Sequence, residues 1–256
     1  MVAAGIDVGA ETVKVVLLNG EKVVGSSIVR GGLDRSKSAD EAMDEALKSA
    51  GLSRGDVERT VATGIGRKEV EFATAVATEI AADARGVTVL FPSVRTIIDV
   101  GAEEARGIKT DGTGKVTDFA KNEKCAAGVG SFVGSMARAL EIQLEDMGPL
   151  SLESDKEIPM NVTCVVFAES EVVSLIHAKV PKPDIARAIH GAIATRTTSM
   201  VRRVGIEKEV VFIGGVAKNP GVVESLKRHR GVDFRIPEEP QMVGAIGAAM
   251  IAATAN

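Results

Sequence analysis

Cys125 and Cys164 are the only thiols in the chain. Each stands shortly before a stretch that reads as a helix. Lys124-Cys125-Ala-Ala-Gly128 leads into one running from near Gly128 through Arg138 to Leu140, and Thr163-Cys164-Val-Val-Phe-Ala168 leads into one from about Ala168. A helix start offers unpaired N–H groups and the positive end of the macrodipole, which favours a thiolate and any anionic centre it holds. Two thiolates are half of the four that an iron–sulfur centre needs, and a symmetric or pseudo-symmetric second protomer would complete the set. A dimer-bridging zinc ion and two inert buried thiols are the alternatives. The closely spaced cysteine knuckles of structural zinc are missing, however.

A second set of residues suits phosphate. Asp7-Val-Gly9 and Asp99-Val-Gly101 each put a carboxylate at the end of an apolar run, beside a glycine. Backbone N–H groups in such a turn form an anion nest, and the carboxylate holds Mg²⁺ directly or through water. Lys14, on the strand after the first turn, has the reach to meet a β- or γ-phosphate. Gly214-Gly215-Val-Ala-Lys218-Asn219-Pro220 follows a strand and opens a helix whose first turn accommodates Pro220. Its missing side chains would let a flat ring lie on the backbone. One Asp-x-Gly turn is an ordinary strand end, but two in matched contexts with a later Gly-Gly turn point to a nucleotide. The Walker pattern is absent, and no G-x-G-x-x-G follows the first strand directly.

These residues need elements to position them. Val2 to Val8 reads as a buried strand, followed by strands at Val13 to Leu18 and Lys22 to Val29 about an Asn19-Gly20 hairpin turn. Ser38 with Glu41 predicts a capping box for a helix ending at Gly51. Val57 to Thr63 is the next strand, and a helix clearest over Glu79 to Ala84 is expected to end near Gly86. The opening pattern then recurs as Arg95 to Val100, Ala105 to Thr110, a turn at Asp111 to Gly114, and Val116 to Ala120. The recurrence predicts an α/β protein built from two duplicated lobes. Pro181 and Pro183 separate two helices of the second half, the longer running through Arg203. A strand at Val210 to Ile213 and an alanine-rich helix from about Gln241 finish the pattern.

Composition limits the partners. Among 256 residues, 45% are hydrophobic, enough for one large or two closely packed domains. A net charge of −4 gives no basic surplus to hold nucleic acid by its phosphates. Trp and Tyr are absent, which argues against a carbohydrate cleft or an aromatic-anchored interface. No apolar run reaches the roughly 18 residues of a membrane span, and the first residues lack the basic region of a signal peptide. A cytoplasmic location is expected, where a stable disulfide between the two thiols is disfavoured.

Asp7-Val-Gly9, Asp99-Val-Gly101 and Gly214-Gly215-Val resemble the two phosphate motifs and the adenosine motif of the actin, sugar-kinase and heat-shock-chaperone ATPase superfamily. The two cysteine segments are similar to those of the activators of 2-hydroxyacyl-CoA dehydratases and of the ATPase subunits of benzoyl-CoA reductase, and the likeness runs the whole length. The resemblance implies two actin-like (ribonuclease H-like) lobes with a nucleotide cleft between them, divided as residues 1–93 plus 240–256 and 94–239. It implies MgATP or ADP held near Asp7, Gly9, Thr12, Lys14, Gly101, Gly214, Gly215 and Lys218. It also implies one [4Fe-4S] cluster held by Cys125 and Cys164 across a homodimer or paralogous heterodimer. A ferredoxin- or flavodoxin-type donor would supply electrons, and the subunits of a CoA-thioester reductase or dehydratase would receive them. The chain departs from the activators in having Ala10-Glu11 before its first hydroxyl at Thr12, Ala102-Glu103-Glu104 after the second turn, and Val129 and Ser131 after the first cysteine. These departures leave Asp99 and Glu103 both open as the group orienting the attacking water, and favour a reductase ATPase subunit over a free-standing activator. A small-molecule kinase and a non-catalytic actin-like protein are the rival readings.

Overall fold

The computed structural model describes residues 2–122, 130–160, 165–230 and 233–254, and the chain divides into two compact units. The first comprises residues 1–94, 110–117 and 241–256, the second 95–109 and 118–240. The elements in chain order are β1 (Val2–Val8), β2 (Thr12–Asn19), β3 (Lys22–Arg30), α1 (Arg35–Ala50), β4 (Val57–Thr63), β5 (Ala75–Val76), α2 (Glu79–Leu90) and β6 (Thr96–Val100). There follow β7 (Ala105–Thr110), β8 (Val116–Lys121), α3 (Gly130–Ala139), α4 (Met147–Leu152), α5 (Val165–His177), α6 (Lys182–Val201), β9 (Val210–Ile213), α7 (Pro220–Arg230) and α8 (Val243–Thr254).

One sheet has the order β3-β2-β1-β4-β5, the other β8-β7-β6-β9. In each, the strand that ends in Asp-Val-Gly pairs antiparallel with its successor and parallel with a later strand, β4 or β9. The expected duplication is present in the hydrogen bonding itself. β1 reads as a near-continuous apolar run because both its faces are covered. Ala4, Ile6 and Val8 join the α1 side of the core, while Ala3 and Gly5 meet α8. In the second unit Ile98, Val100 and Phe212 belong to one core with α3, α6 and α7, where Phe212 meets Phe234 edge to face at 5.5 Å.

Several boundaries differ from the sequence expectation for identifiable reasons. The helix predicted from a Ser38–Glu41 box begins earlier, because Asp34 is its N-cap and accepts from Lys37 N–H at 3.0 Å. Ser38 lies inside the first turn, donating to Asp34 O and accepting from Gly32 N–H. Gly86 does not end α2. It sits mid-helix where a Cβ would overlap the Val243 carbonyl oxygen, so its role is close packing of α2 on α8. Gly51, by contrast, ends α1 with φ of 66°, as expected of a glycine C-cap. The short α4 and β5 left no periodic signal in the sequence. Among the described residues, no helix is long and apolar enough to cross a membrane.

The α8 contact is a tight one. A Cβ on Gly247 would overlap the Ala82 carbonyl oxygen, and the backbone cannot move away cheaply. Gly247→Ala is therefore expected to destabilise the protein by about 1–3 kcal/mol or more. Gly55→Ala, whose nearest neighbour would be Ser53 Oγ at 3.8 Å, should stay within about 0.5 kcal/mol. Urea unfolding of the two variants checks the contrast.

Candidate functional site

The first turn is built by chain direction and one missing side chain. Asp7 lies near the end of β1, and Gly9 N–H donates to Thr12 O at 3.0 Å, turning the chain into β2. Antiparallel register then sets Lys14 opposite Asp7, and its ammonium reaches Asp7 Oδ2 at 3.1 Å. On the other side of β1, β4 ends at Thr63 and passes into Gly64 with φ of 88°. A Cβ on Gly64 would stand 2.6 Å from Asp7 Oδ1 and overlap Val8 O. Glycine is required there twice over, by the left-handed backbone and by the close approach. The N-terminus of α8 also faces this carboxylate: a Cβ on Gly244 would lie 3.3 Å from Asp83 Oδ1 and 3.5 Å from Asp7 Oδ2.

The second turn repeats this backbone geometry. Gly101 N–H donates to Glu104 O at 2.9 Å, register sets Arg106 opposite Asp99, and Gly214 follows β9 with φ of 89°. A Cβ on Gly214 would stand 2.5 Å from Asp99 Oδ1. The cation differs. One guanidinium arm of Arg106 donates to Asp99 Oδ2 and the other to Glu104 at 2.9 Å, a forked arrangement in which Asp99 and Arg106 are almost fully buried. A lysine makes a point contact, whereas an arginine fixes two acceptors in a plane.

The structure gathers the expected residues into three places, each within one unit. Asp7, Gly9, Thr12 and Lys14 surround the first turn; Asp99, Gly101 and Glu103 form the second, with Glu103 exposed. Gly214 closes against that second turn, while a Cβ on Gly215 would meet only open space, so the two adjacent glycines serve different needs. Lys218 ends the short 3-10 turn Gly215–Lys218 and lies 3.5 Å from Glu239. Cys125 and Cys164 lie outside the described residues. α5 begins at Val165, the next residue after Cys164 in the chain, and α3 at Gly130. Gly64 and Arg106 were missed from the sequence. The signal for Arg106 was available, since it follows Asp99 at the same interval at which Lys14 follows Asp7.

Asn219, after the 3-10 turn and itself half-buried, is held by a network that reaches the buried His190 and Ser151. Its Oδ1 accepts from Gly221 N–H at 2.9 Å and Val222 N–H at 3.2 Å, capping α7. Backbone N–H groups only donate, so the amide nitrogen is the end directed at His190 Nε2, 3.4 Å away. Ser151 Oγ donates to Gly148 O at 2.8 Å, and therefore accepts from His190 Nδ1–H at 2.9 Å. The imidazole is fully buried and neutral in one tautomer. Burial, with the Arg228 charge adding, pushes it down to about 4.

Residues of both turns fit a magnesium–nucleotide ligand. Carboxylates, glycine N–H groups and a cation converge at each strand end, and Thr63 Oγ1, buried beside Asp7, makes no hydrogen bond within the described residues. Two copies of a strand–turn–strand unit with such ends are the layout of two-lobed α/β ATPases. The chain belongs to the BadF/BadG/BcrA/BcrD ATPase family, whose model matches residues 4–252. It is 40% identical to the activator of lactoyl-CoA dehydratase from Anaerotignum propionicum, covering 98% of this chain and 97% of that one. A benzoyl-CoA reductase subunit from Thauera aromatica is 32% identical, over 97% and 92% of the two chains. The crystal structure of the Acidaminococcus fermentans (R)-2-hydroxyglutaryl-CoA dehydratase component A superposes with a TM-score of 0.95 at 37% identity, covering 99% and 98%. The Clostridium difficile activator of 2-hydroxyisocaproyl-CoA dehydratase, solved with bound ADPNP, gives 0.93 at 36%, covering 99% and 94%. The leaning toward a benzoyl-CoA reductase component has less support than its alternative, because the dehydratase activators are 37–40% identical to this chain against 32% for the reductase subunit.

Two outcomes follow from this geometry. Arg106→Met strips a buried carboxylate of its cation and should cost about 3–5 kcal/mol, while Arg106→Lys should recover part of that loss, as read by chemical denaturation. In the unfolded chain His190 takes up a proton near its ordinary 6.5, but in the folded chain only near 4. Acidification through that window therefore favours unfolding, by about 3 kcal/mol from this residue. A His190→Gln variant should show a correspondingly shallower loss of stability between pH 6.5 and 4 in urea titrations.

Proposed function

We propose that the protein is a free-standing activator of a 2-hydroxyacyl-CoA dehydratase: an ATPase that delivers low-potential electrons to a separate CoA-thioester enzyme. The observation that supports it best is the duplicated turn, in which a strand-end carboxylate, a glycine N–H and a cation meet twice in matched register. In this reading Asp7 and Asp99 hold Mg²⁺ directly or through water, and the two turns closed by Gly9 and Gly101 border the phosphates, their glycines leaving room for them. Lys14 neutralises a phosphate from the first lobe, comprising residues 1–93 and 240–256. Thr12 lines the same turn. Gly215 and Lys218 border the nucleoside in the second, residues 94–239. Asp99 already accepts from Arg106, so Glu103, exposed in the same turn, orients the attacking water and takes its proton.

Cys125 and Cys164 would hold half of a [4Fe-4S] cluster, with the same pair from a second protomer completing it. Such a cluster supplies a one-electron store whose potential depends on its exposure and on nearby charge. The start of α5 immediately after Cys164 is compatible with that role, because a helix N-terminus favours anionic ligands. A reduced ferredoxin or flavodoxin is the donor, and the dehydratase is the acceptor.

Expressed alone without oxygen, the chain should form a brown, iron-bearing homodimer by native mass spectrometry. Cys125→Ser and Cys164→Ser should each lose the iron and the visible absorption yet bind ATP as before. Full iron retention in either variant overturns the ligand assignment. Isolation only as part of a larger reductase complex would instead favour the benzoyl-CoA reductase type.

A further inference from the structure

His190 lies far in sequence from either phosphate turn, and among the described residues its polar partners are Ser151 of α4 and Asn219. The surroundings leave no slack. A Cβ on Gly221 would overlap Ser151 Oγ and His190 Nδ1, and one on Gly148 would lie 2.8 Å from Asn219 Oδ1 and 2.6 Å from Pro220 Cδ. Three helices, α4, α6 and α7, thus close around one amide side chain. That amide ends the turn beginning at Gly214, whose own N–H is anchored to Pro240 O at 3.0 Å. The Asn219 N–H donates to Val216 O at 3.0 Å, so the turn is pinned at both ends and open at Gly215 in the middle.

A buried histidine serving only to fill space needs no fixed tautomer. Here every polar atom of the network has an assigned role: Gly148 O accepts from Ser151, Ser151 from Nδ1–H, Nε2 from Asn219, and Asn219 Oδ1 from two backbone N–H groups of α7. Freeing Asn219 from His190 would let the amide rotate off the α7 cap and loosen the exit of the turn. The carboxylates of the two phosphate turns are held by their own cations instead, Asp7 by Lys14 and Asp99 by Arg106, so loosening this network leaves those pairs in place.

We infer that His190 is a positioning residue for the nucleoside end of the bound nucleotide, acting through Asn219 to hold the Gly214–Asn219 turn in its receiving shape. This rests on the nucleotide reading above. It separates the two ends of the ligand: base and ribose depend on the network, the phosphate chain does not.

Calorimetric binding of MgATP and of magnesium tripolyphosphate tests the separation, with His190→Leu, Asn219→Ala, their double variant and His190→Gln. ATP should bind up to about tenfold more weakly to each of His190→Leu and Asn219→Ala, the upper end of what one hydrogen bond contributes. Tripolyphosphate affinity should stay within about twofold, and the double variant should be no weaker than the worse single one, because the pair acts as a unit. His190→Gln offers an acceptor to Asn219 and should recover part of the ATP loss. Equal losses for both ligands, or losses that add in the double variant, would overturn the proposal. If His190→Leu does not fold, Asn219→Ala against His190→Gln decides the same question. A wild-type chain that binds tripolyphosphate and ATP equally well overturns it while sparing the phosphate turns; one that binds neither removes the nucleotide site itself, and the proposal with it.

Discussion

A carboxylate at the end of a central strand, with a neighbouring strand passing so close that only glycine fits, is the constraint on which both units are built. Gly64 beside Asp7 and Gly214 beside Asp99 carry nearly identical left-handed φ values and block the same volume. The parallel strand delivers the glycine, and the antiparallel strand delivers the cation. Neither partner can shift register by one residue without sending its side chains to the opposite face. Position in the sheet thus specifies the chemistry of the strand ends.

The copies have diverged where function allows it. Lys14 and Arg106 occupy the same register position, but one makes a single contact and the other a planar fork to Asp99 and Glu104. A point charge on a flexible stem can leave its carboxylate for a phosphate with little loss. A guanidinium engaged by two carboxylates in a buried setting is harder to displace. The first lobe is therefore suited to a cation that changes partner during a cycle, and the second to a carboxylate kept in place.

Much of this was legible in the residues. β4 and β9 were read to the residue, and the duplication was visible because buried strands leave continuous apolar runs closed by Asp-Val-Gly. The failures have a common physical source. Ser38 satisfies the pattern of a cap, yet Asp34 is better placed to accept from the helix start, and a sequence pattern does not weigh two candidate caps. Gly86 looks like a helix stop, but packing against α8 overrides propensity, and that neighbour is more than 150 residues distant. Nothing local in the sequence marks His190, because its partners, Ser151 and Asn219, come from other elements, and no local spacing encodes their meeting. The preference between two sets of relatives is weakly founded for a different reason: single substitutions beside a turn carry less information than identity along the whole chain.

α8 covers one face of the first sheet, packing against β1, β2 and β4, yet it follows the entire second unit in the chain. During synthesis Ala3, Val16, Leu18 and Val61 must wait, wet and unpaired with their helix, until about 180 residues beyond Val61 have left the ribosome. The early lobe emerges first but matures last, and a nascent chain stalled midway would display a sticky sheet surface that holding chaperones recognise.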